Sequence, residues 1–219
     1  MSNAKEAILS RVRESIGINS HIPDFSPHFD GAIKLEFDGD LYQNFKVNQE
    51  NNKALIVETE REKLAQTLNG ILQENKSQDV LYNPDIDVDC ARLKGCKFIP
   101  YTQEVDTFRE QLFQIDTSIV QARCGVADLG VIVLTSNPNA PRLSSLVTNT
   151  CIYLLDKRNI VQHIYAGIEF AKKYEKERSG TDVLPSNIII VAGPSRTADI
   201  ELQTVFGVHG PRKTYVVLY

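Results

Sequence analysis

Short runs of apolar residues alternate with stretches of helical periodicity along the chain from about residue 53 onward. An unbroken apolar run of this kind is typical of a strand buried on both faces. Apolar residues three or four positions apart indicate one face of a helix. The predicted strands are KALIVE, DVLY, KFIPY, two strands within TSIVQARCGVADLGVIVLTS joined by a turn at Cys124–Leu129, CIYLLD, NIIIVAG and TYVVLY.

Helices are predicted between these strands. Thr59–Glu62 has the pattern of a capping box. The helix after it carries an apolar stripe of Leu64, Leu68, Ile71 and Leu72. Further helices are predicted in QEVDTFREQLFQI, in residues 159–180 with Val161, Ile164, Tyr165, Ile168 and Ala171 facing inward, and around Thr197–Val205.

Alternation of apolar strands with helices predicts a three-layer α/β/α fold with a largely parallel sheet. In such folds, ligands bind beyond the carboxyl ends of the strands. The residues that directly follow each strand are therefore the first candidates for a functional site.

The amino-terminal residues have a different character. Residues 3–16 predict an amphipathic helix, and the segment after it is rich in proline and histidine without periodicity. The predicted organisation is a helix and linker arm over residues 1–40, followed by one α/β domain over residues 41–219.

The composition is that of an ordinary globular protein, with 42% hydrophobic and 24% charged residues. A net charge of −4 gives no general attraction to nucleic acid. No apolar run reaches the roughly 20 residues of a membrane span, and the amino terminus is unlike a secretory signal, so a cytoplasmic location is expected.

The four cysteines form no CxxC pair and match no spacing of a zinc or iron–sulfur site. We therefore expect free, partly buried thiols, and no metal or cofactor in this chain. The sequence also contains no GxGxxG, GxxxxGK[ST], HExxH or GxSxG motif.

The first candidate site follows the strand NIIIVAG. Gly193 relieves a turn, and Ser195 or Thr197 is placed to cap the predicted short helix. Arg196 beside free helix amides would form a cradle for a carboxylate or phosphate. The structural alternative is a capped helix in which Arg196 pairs with Asp199 or Glu201 of the first turn.

The second candidate lies between that helix and the last strand. His209 stands between Gly207 and Gly210, with Arg212 two residues further on. Glycines leave the imidazole little cover, which suits acid–base work or ligand contact. The alternative is a satisfied structural histidine.

Two more polar residues stand in loops. Asp128 lies in the turn CGVADLG, where it is either a turn former or a residue of the same cleft. Arg142 lies in the loop NPNAPRLSSLV, which either supplies a second cation or simply crosses the top of the sheet. If the chain were a stand-alone enzyme, Asp128 or Glu201 would serve as base or nucleophile.

Several of these stretches resemble the LUD-domain family, in particular its lactate-utilisation protein C subgroup. The resemblance is carried by VAGPSRTADIELQTVFGVHGPRKTYVVLY, with further similarity in CGVADLGVIVL, NPNAPRLSSLV and MSNAKEAILSRVR. Leu129 and Val131 depart from the pattern, because the family usually has threonines at those positions. Two hydroxyls that could bind a ligand are therefore missing from that turn.

The resemblance implies a fold similar to the ribose-5-phosphate isomerase and CoA-transferase group. It also implies a role in oxidising L-lactate to pyruvate, with iron–sulfur clusters carried by partner proteins. Arg196, Ser195 and Thr197 would then hold a carboxylate, and His209 would accept a proton.

Two alternatives stay open from the sequence. One is an enzyme or binding protein for a phosphorylated sugar, CoA ester or other small anion, which rests on fold analogy. The other is a regulatory or assembly subunit with a vestigial pocket. Assembly into a homo-oligomer is also left open.

Overall fold

The computed structural model describes residues 2–18, 39–198 and 204–219. The chain divides into two units, with the boundary between residues 37 and 38. The first unit contains helix α1, and most of the predicted linker arm lies outside the described residues. The helices are α1 Ser2–Ile18, α2 Leu41–Asn51, α3 Leu64–Glu74, α4 Val105–Leu112 and α5 Ile164–Ser179.

Most strands of the second unit coincide with the apolar runs of the sequence, whereas β8, β10 and β11 lie where helices were predicted. They are β1 Leu55–Glu58, β2 Asp79–Tyr82, β3 Lys97–Pro100, β4 Thr117–Gln121, β5 Cys124–Val126, β6 Val131–Ser136, β7 Thr150–Leu155, β8 Ile160–Val161, β9 Asn187–Val191, β10 Arg196–Ala198, β11 Thr204–Phe206 and β12 Lys213–Leu218.

Six of these strands form one parallel sheet in the order β1-β12-β7-β4-β2-β3. Within this sheet, the chain continues from β2 to β3 on one side and from β4 to β7 on the other. A reversal of this kind opens a crevice between the carboxyl ends of the two strands. The predicted α/β fold with a largely parallel sheet is confirmed.

A second sheet has the order β8-β5-β6-β9, and β10 pairs with β11 in an antiparallel hairpin. The sequence predicted two strands between Thr117 and Ser136, but the structure has three. The chain changes sheets at Ala122 and Arg123: the amide of Ala122 still donates to Leu154 O, whereas the amide of Arg123 donates to Val133 O. The residues of one apolar stretch thus serve two sheets.

One face of the parallel sheet is covered by α3. The predicted stripe is confirmed, since Leu64, Leu68, Ile71 and Leu72 are buried against the strands. The predicted capping box is wrong, because the Thr59 hydroxyl bonds to Thr67 and the helix begins at Leu64 after a 3₁₀ turn.

The opposite face is covered by α4 and a 3₁₀ turn at Arg142–Ser145. Phe108 and Leu112 of α4 pack with Leu81 and Ile99 of the sheet, and Leu143 lies against the same cluster. Helical segments on both faces satisfy the apolar faces of a parallel sheet.

Helix α5 packs on the second sheet and begins later than predicted, because Ile160–Val161 pairs with β5 as strand β8. Its buried stripe is Gly167, Ala171 and Glu175. Tyr165 was predicted to face inward but is 41% exposed. The close approach of α5 to β5 needs Gly167, where a Cβ atom would lie 2.7 Å from Val126 Cγ2.

Helix α2 was not predicted, although it joins several parts of the domain. Asp40 caps its amino end, and Phe45 and Gln49 are buried. Asn48 and Asn52 lie one turn apart and donate to backbone carbonyls of the turn 127–130. Of the described helices, none is long and apolar enough to cross a membrane.

Substitution of Gly125 tests the packing between α2, β5 and β7. A Cβ atom there would lie 2.7 Å from Phe45 Cε2 and 2.9 Å from Leu155 Cδ2. We expect Gly125→Ala to lower the free energy of unfolding by about 1–3 kcal/mol in urea denaturation, through overpacking. Gly70→Ala on exposed α3 surface is the matched control; it meets no atom within 4 Å and should stabilise by about 0.5–1 kcal/mol. Equal effects of the two changes would contradict this packing.

A second prediction concerns the anchoring of the turn 127–130 by α2. Asn52→Ala removes the amide bonds to Leu129 O and Gly130 O, at 2.9 and 2.7 Å. We expect a loss of about 1–3 kcal/mol of stability, because two carbonyls lose their partner. Gln43→Ala, on an exposed position of the same helix, should change stability by less than about 0.5 kcal/mol. Thermal unfolding of both variants checks the contrast.

Candidate functional site

The two glycine-rich loops of the carboxyl-terminal stretch meet each other. The amide of Ser195 donates to Pro211 O at 2.9 Å, and the amide of Gly207 donates to Ser195 O at 3.0 Å. The amide of His209 donates to the Ser195 hydroxyl at 3.3 Å. A Cβ atom on Gly210 would lie 3.3 Å from Ser195 Cβ, which explains the small residue there.

The short helix predicted after Ser195 is wrong at both of its ends. Arg196–Ala198 and Thr204–Phe206 pair as antiparallel strands, with Thr197 opposite Val205. β-Branched residues at these positions favour strand pairing. Over the described residues 193–198, Arg196 is therefore in a strand and is not flanked by helix amides, and Asp199 and Glu201 lie outside the described residues.

The His209 loop lies at the amino edge of the parallel sheet. The amides of Arg212 and Lys213 both donate to the carbonyl of Asn149, which directly precedes β7. This position differs from the predicted one beyond the carboxyl ends, because the loop leads into β12 rather than out of a strand of that sheet.

The polar side chains of these loops face outward. Arg196 donates to Ala192 O at 3.3 Å, and Thr197, His209 and Arg212 are exposed. The stem of Arg212 covers Gly207, where a Cβ atom would lie 1.9 Å from Arg212 Cγ. Among the described residues, the two loops are thus held together by backbone hydrogen bonds and present their polar side chains to solvent.

Asp128 and Gly193 both lie against the carboxyl end of α2. Gly193 has φ +71° and leaves no room for a Cβ atom, which would lie 2.1 Å from Asn52 O. Burial raises the pKa of Asp128, while the Leu129 amide and nearby His163 act to lower it. The Oδ1 atom of Asp128 is buried without a hydrogen bond, and no described hydrogen bond or ion pair joins Asp128 to Arg196 or His209.

A cavity of about 720 Å³ lies where β3 and β6 end. Tyr101 and Val105 follow β3, and Asn137 follows β6. Arg142, one of the predicted cations, lines this cavity and is exposed. The cavity therefore lies at the carboxyl ends of two strands, β3 at the edge of the parallel sheet and β6 in the second sheet.

Glu175 and Arg178 form the polar floor of this cavity. Glu175 Oε2 accepts from Arg178 Nε at 2.8 Å, and Oε1 accepts from Asn137 Nδ2 at 2.9 Å and from the Thr135 hydroxyl. Burial acts to raise the pKa of Glu175, but the hydrogen bonds from Thr135, Arg178 and Asn137 outweigh it and lower the pKa. The carboxylate is therefore held in its charged form.

A buried arginine lies behind Glu175. Arg123 has a side chain that is 1% exposed, donates from Nε to Thr135 Oγ1 at 2.8 Å, and lies 4.6 Å above the Tyr174 ring. Its Nη2 atom donates to Asp85 Oδ2 at 2.5 Å. Burial raises the pKa of Asp85, and the attraction to Arg123 opposes that rise.

The formal charges of this region favour an anionic ligand. Three guanidinium groups, of Arg123, Arg142 and Arg178, stand against two carboxylates, of Asp85 and Glu175. One positive charge is formally left over, and Arg142 has no side-chain partner within the described ranges. Guanidinium groups suit carboxylates and phosphates through parallel N–H donors, so the cavity is suited to an anion.

Of the residues described at this site, only Arg142 was predicted from the sequence. Asp85 lies in the loop after β2, three residues beyond Tyr82, so a search of the loops that follow strands would have found it. Glu175 carried a weaker signal, a charge four residues beyond Ala171 on a stripe that is otherwise small and apolar. Arg123 carried the signal of a charge within an apolar stretch.

The cysteines are free, with Cys124 and Cys151 buried and Cys90 and Cys96 half-buried. Burial raises the pKa of Cys124 to about 12, so its thiol stays protonated. In the part of the chain that the structure describes, no group of three or more His, Cys, Asp or Glu side chains is arranged to hold a metal ion.

Known proteins share this sequence pattern. The uncharacterized protein NMB1437 of Neisseria meningitidis is 33% identical over 120 residues, 54% of this chain and 49% of that protein. YkgG of Escherichia coli is 34% identical over 108 residues, 49% of this chain and 46% of that protein. These matches span about half the length of those relatives.

A longer match is found with lactate utilization protein C of Halalkalibacterium halodurans, which is 26% identical over 232 residues and covers 100% of this chain and 99% of that protein. The crystal structure of a DUF162 family protein from Deinococcus radiodurans has a TM-score of 0.58 at 17% identity, covering 81% of this chain and 95% of that chain. It shows that the fold is shared.

The model of the LUD domain family matches residues 42–219. This range includes β1 to β12, the cavity and the two glycine-rich loops at residues 193–198 and 207–212, which are called the signature loops below. The resemblance noted in the sequence is confirmed: the chain belongs to the LUD-domain family.

Proposed function

We propose that this protein is a subunit of a lactate-utilisation system and that its cavity binds a small organic anion of that system. The pathway is supported by relatives that are named lactate utilization protein C in several bacteria. The observation that carries the molecular part is the pair of guanidinium groups, of Arg142 and Arg178, in one cavity at the strand ends.

Conversion of L-lactate to pyruvate removes two electrons and two protons, and the electrons need an acceptor. We assign that acceptor to iron–sulfur proteins that act together with this subunit. The cofactor supplies the redox chemistry in such systems, while the protein supplies binding and orientation. In this proposal, the residues of this chain bind and orient an anion.

The cavity residues have separate tasks in this proposal. Arg142 is free to contact the anion, because its guanidinium has no ion pair among the residues described. Arg178 gives one N–H to Glu175 and retains further donors. Glu175 holds Arg178 in place and is fully engaged by its three partners, so it acts as a positioning residue.

Loss of Arg142 tests the proposal with little risk to folding, since no buried partner depends on it. We expect cells or extracts that lack this protein to lose lactate oxidation, native protein to restore it, and Arg142→Glu to restore less than about a tenth. A charge-assisted contact is worth about 1.5–3 kcal/mol, which corresponds to roughly tenfold or more. The measurement is lactate-dependent reduction of an electron acceptor.

Arg196→Ala and His209→Ala are the matched controls, because both remove an exposed side chain from the signature loops without touching the cavity. Full restoration by Arg142→Glu, or lactate oxidation that does not need the protein, would contradict the proposal. Loss in the controls alone would point to the signature loops instead. Melting temperatures close to the native value confirm that each variant is folded.

A further inference from the structure

The cavity has an apolar wall beside its cations. Val183 and Leu184 line it from the loop after α5 and are 72% and 51% exposed, and Val105 is 39% exposed. Pro138, Pro141 and Pro185 complete this side. Exposed apolar side chains that are grouped in a concave site usually mark a surface that a ligand covers.

The size of the cavity agrees with a ligand larger than lactate. Its volume of about 720 Å³ lies within the range of roughly 300–1,000 Å³ that is typical of sites for drug-sized molecules. A three-carbon acid held by Arg142 would leave most of the apolar wall in contact with water.

Arg142 and Arg178 line the same cavity as these apolar residues. Arg142 directly follows Pro141, and Arg178 is fixed by Glu175 on α5. The amino end of α4 is also at the cavity, since Val105 is its first residue and the Glu104 side chain makes no capping bond. Free amides at a helix start favour negative charge, so three features of the lining favour an anionic group in the ligand.

We propose that the cavity binds an amphipathic carboxylic acid, with its carboxylate at Arg142 and Arg178 and an apolar chain against Val105, Val183 and Leu184. The ligand class is thus an organic acid with an apolar chain beyond the three carbons of lactate. This inference rests on the anion-binding half of the proposed function, and it is independent of the role in lactate oxidation.

A series of 2-hydroxy acids of increasing length tests the inference on the purified full chain. We expect the dissociation constant, measured by titration calorimetry, to fall by roughly threefold to fourfold for each added methylene group from L-lactate to 2-hydroxyhexanoate. Dissociation constants that stay constant along the series, or no binding by any member, would overturn the inference. Inorganic phosphate is included as a probe for an anion site without apolar contact, and tighter binding of phosphate than of 2-hydroxyhexanoate would also overturn it.

Two variants separate the contribution of the ligand's carboxylate from that of its apolar chain. Arg142→Ala should weaken every acid of the series by a similar factor, about tenfold or more. Val183→Ser with Leu184→Ser should leave L-lactate unchanged and reduce the gain per methylene to less than twofold. Val47→Ser, an exposed apolar position on α2 outside the cavity, is the control and should leave all constants unchanged. If the gain in affinity per methylene group persists in the Val183→Ser, Leu184→Ser variant, the placement of the ligand's apolar chain against these residues is overturned.

The role in lactate oxidation and the ligand class can be disproved separately. If lactate oxidation proceeds without this protein while the chain-length dependence holds, the pathway assignment fails and the ligand class stands. If the protein is needed for lactate oxidation but all acids of the series bind equally, the ligand class fails alone.

Discussion

The buried guanidinium of Arg123 joins the two sheets of the domain. It stands where the chain leaves the parallel sheet after β4 and enters the second sheet at β5. One nitrogen donates to Asp85 after β2, and another donates to Thr135 on β6. A buried charge is costly unless it is paired and hydrogen-bonded, so the loop after β2, strand β6 and helix α5 must keep their relative positions for Arg123 to keep its bonds to Asp85 and Thr135 and its contact with Tyr174.

The position of the cavity follows from this network. Thr135 bonds both Arg123 and Glu175, and Glu175 in turn bonds Asn137 and Arg178. Arg178, one of the two cations that line the cavity, is therefore connected through hydrogen bonds to Arg123 and to Asp85 in the loop after β2. Together with Arg123, Arg178 on α5 and Arg142 in the 3₁₀ turn outnumber the carboxylates of Asp85 and Glu175, although the net charge of the whole chain is −4.

Backbone packing accounts for several of the small residues in the signature loops. Glycine at positions 193, 207 and 210 allows close contact with Asn52, Arg212 and Ser195, respectively. Ser195 uses its amide, carbonyl and hydroxyl to fix the neighbouring loop. Residues that look like a ligand cradle in the sequence are thus required by backbone packing at the amino edge of the sheet.

The sequence by itself determined the elements whose signal is local. Apolar runs such as CIYLLD had to be buried strands, the stripe on α3 had to face a core, and the signature strings identified the family. It did not determine which strand ends meet, because pairing depends on contacts between residues far apart in the chain. Arg123, Asp85 and Glu175 are separated by up to 90 residues in sequence, and only the tertiary structure brings their charges together beside one cavity. The choice of strand over helix at Arg196–Ala198 was likewise decided by pairing with β11.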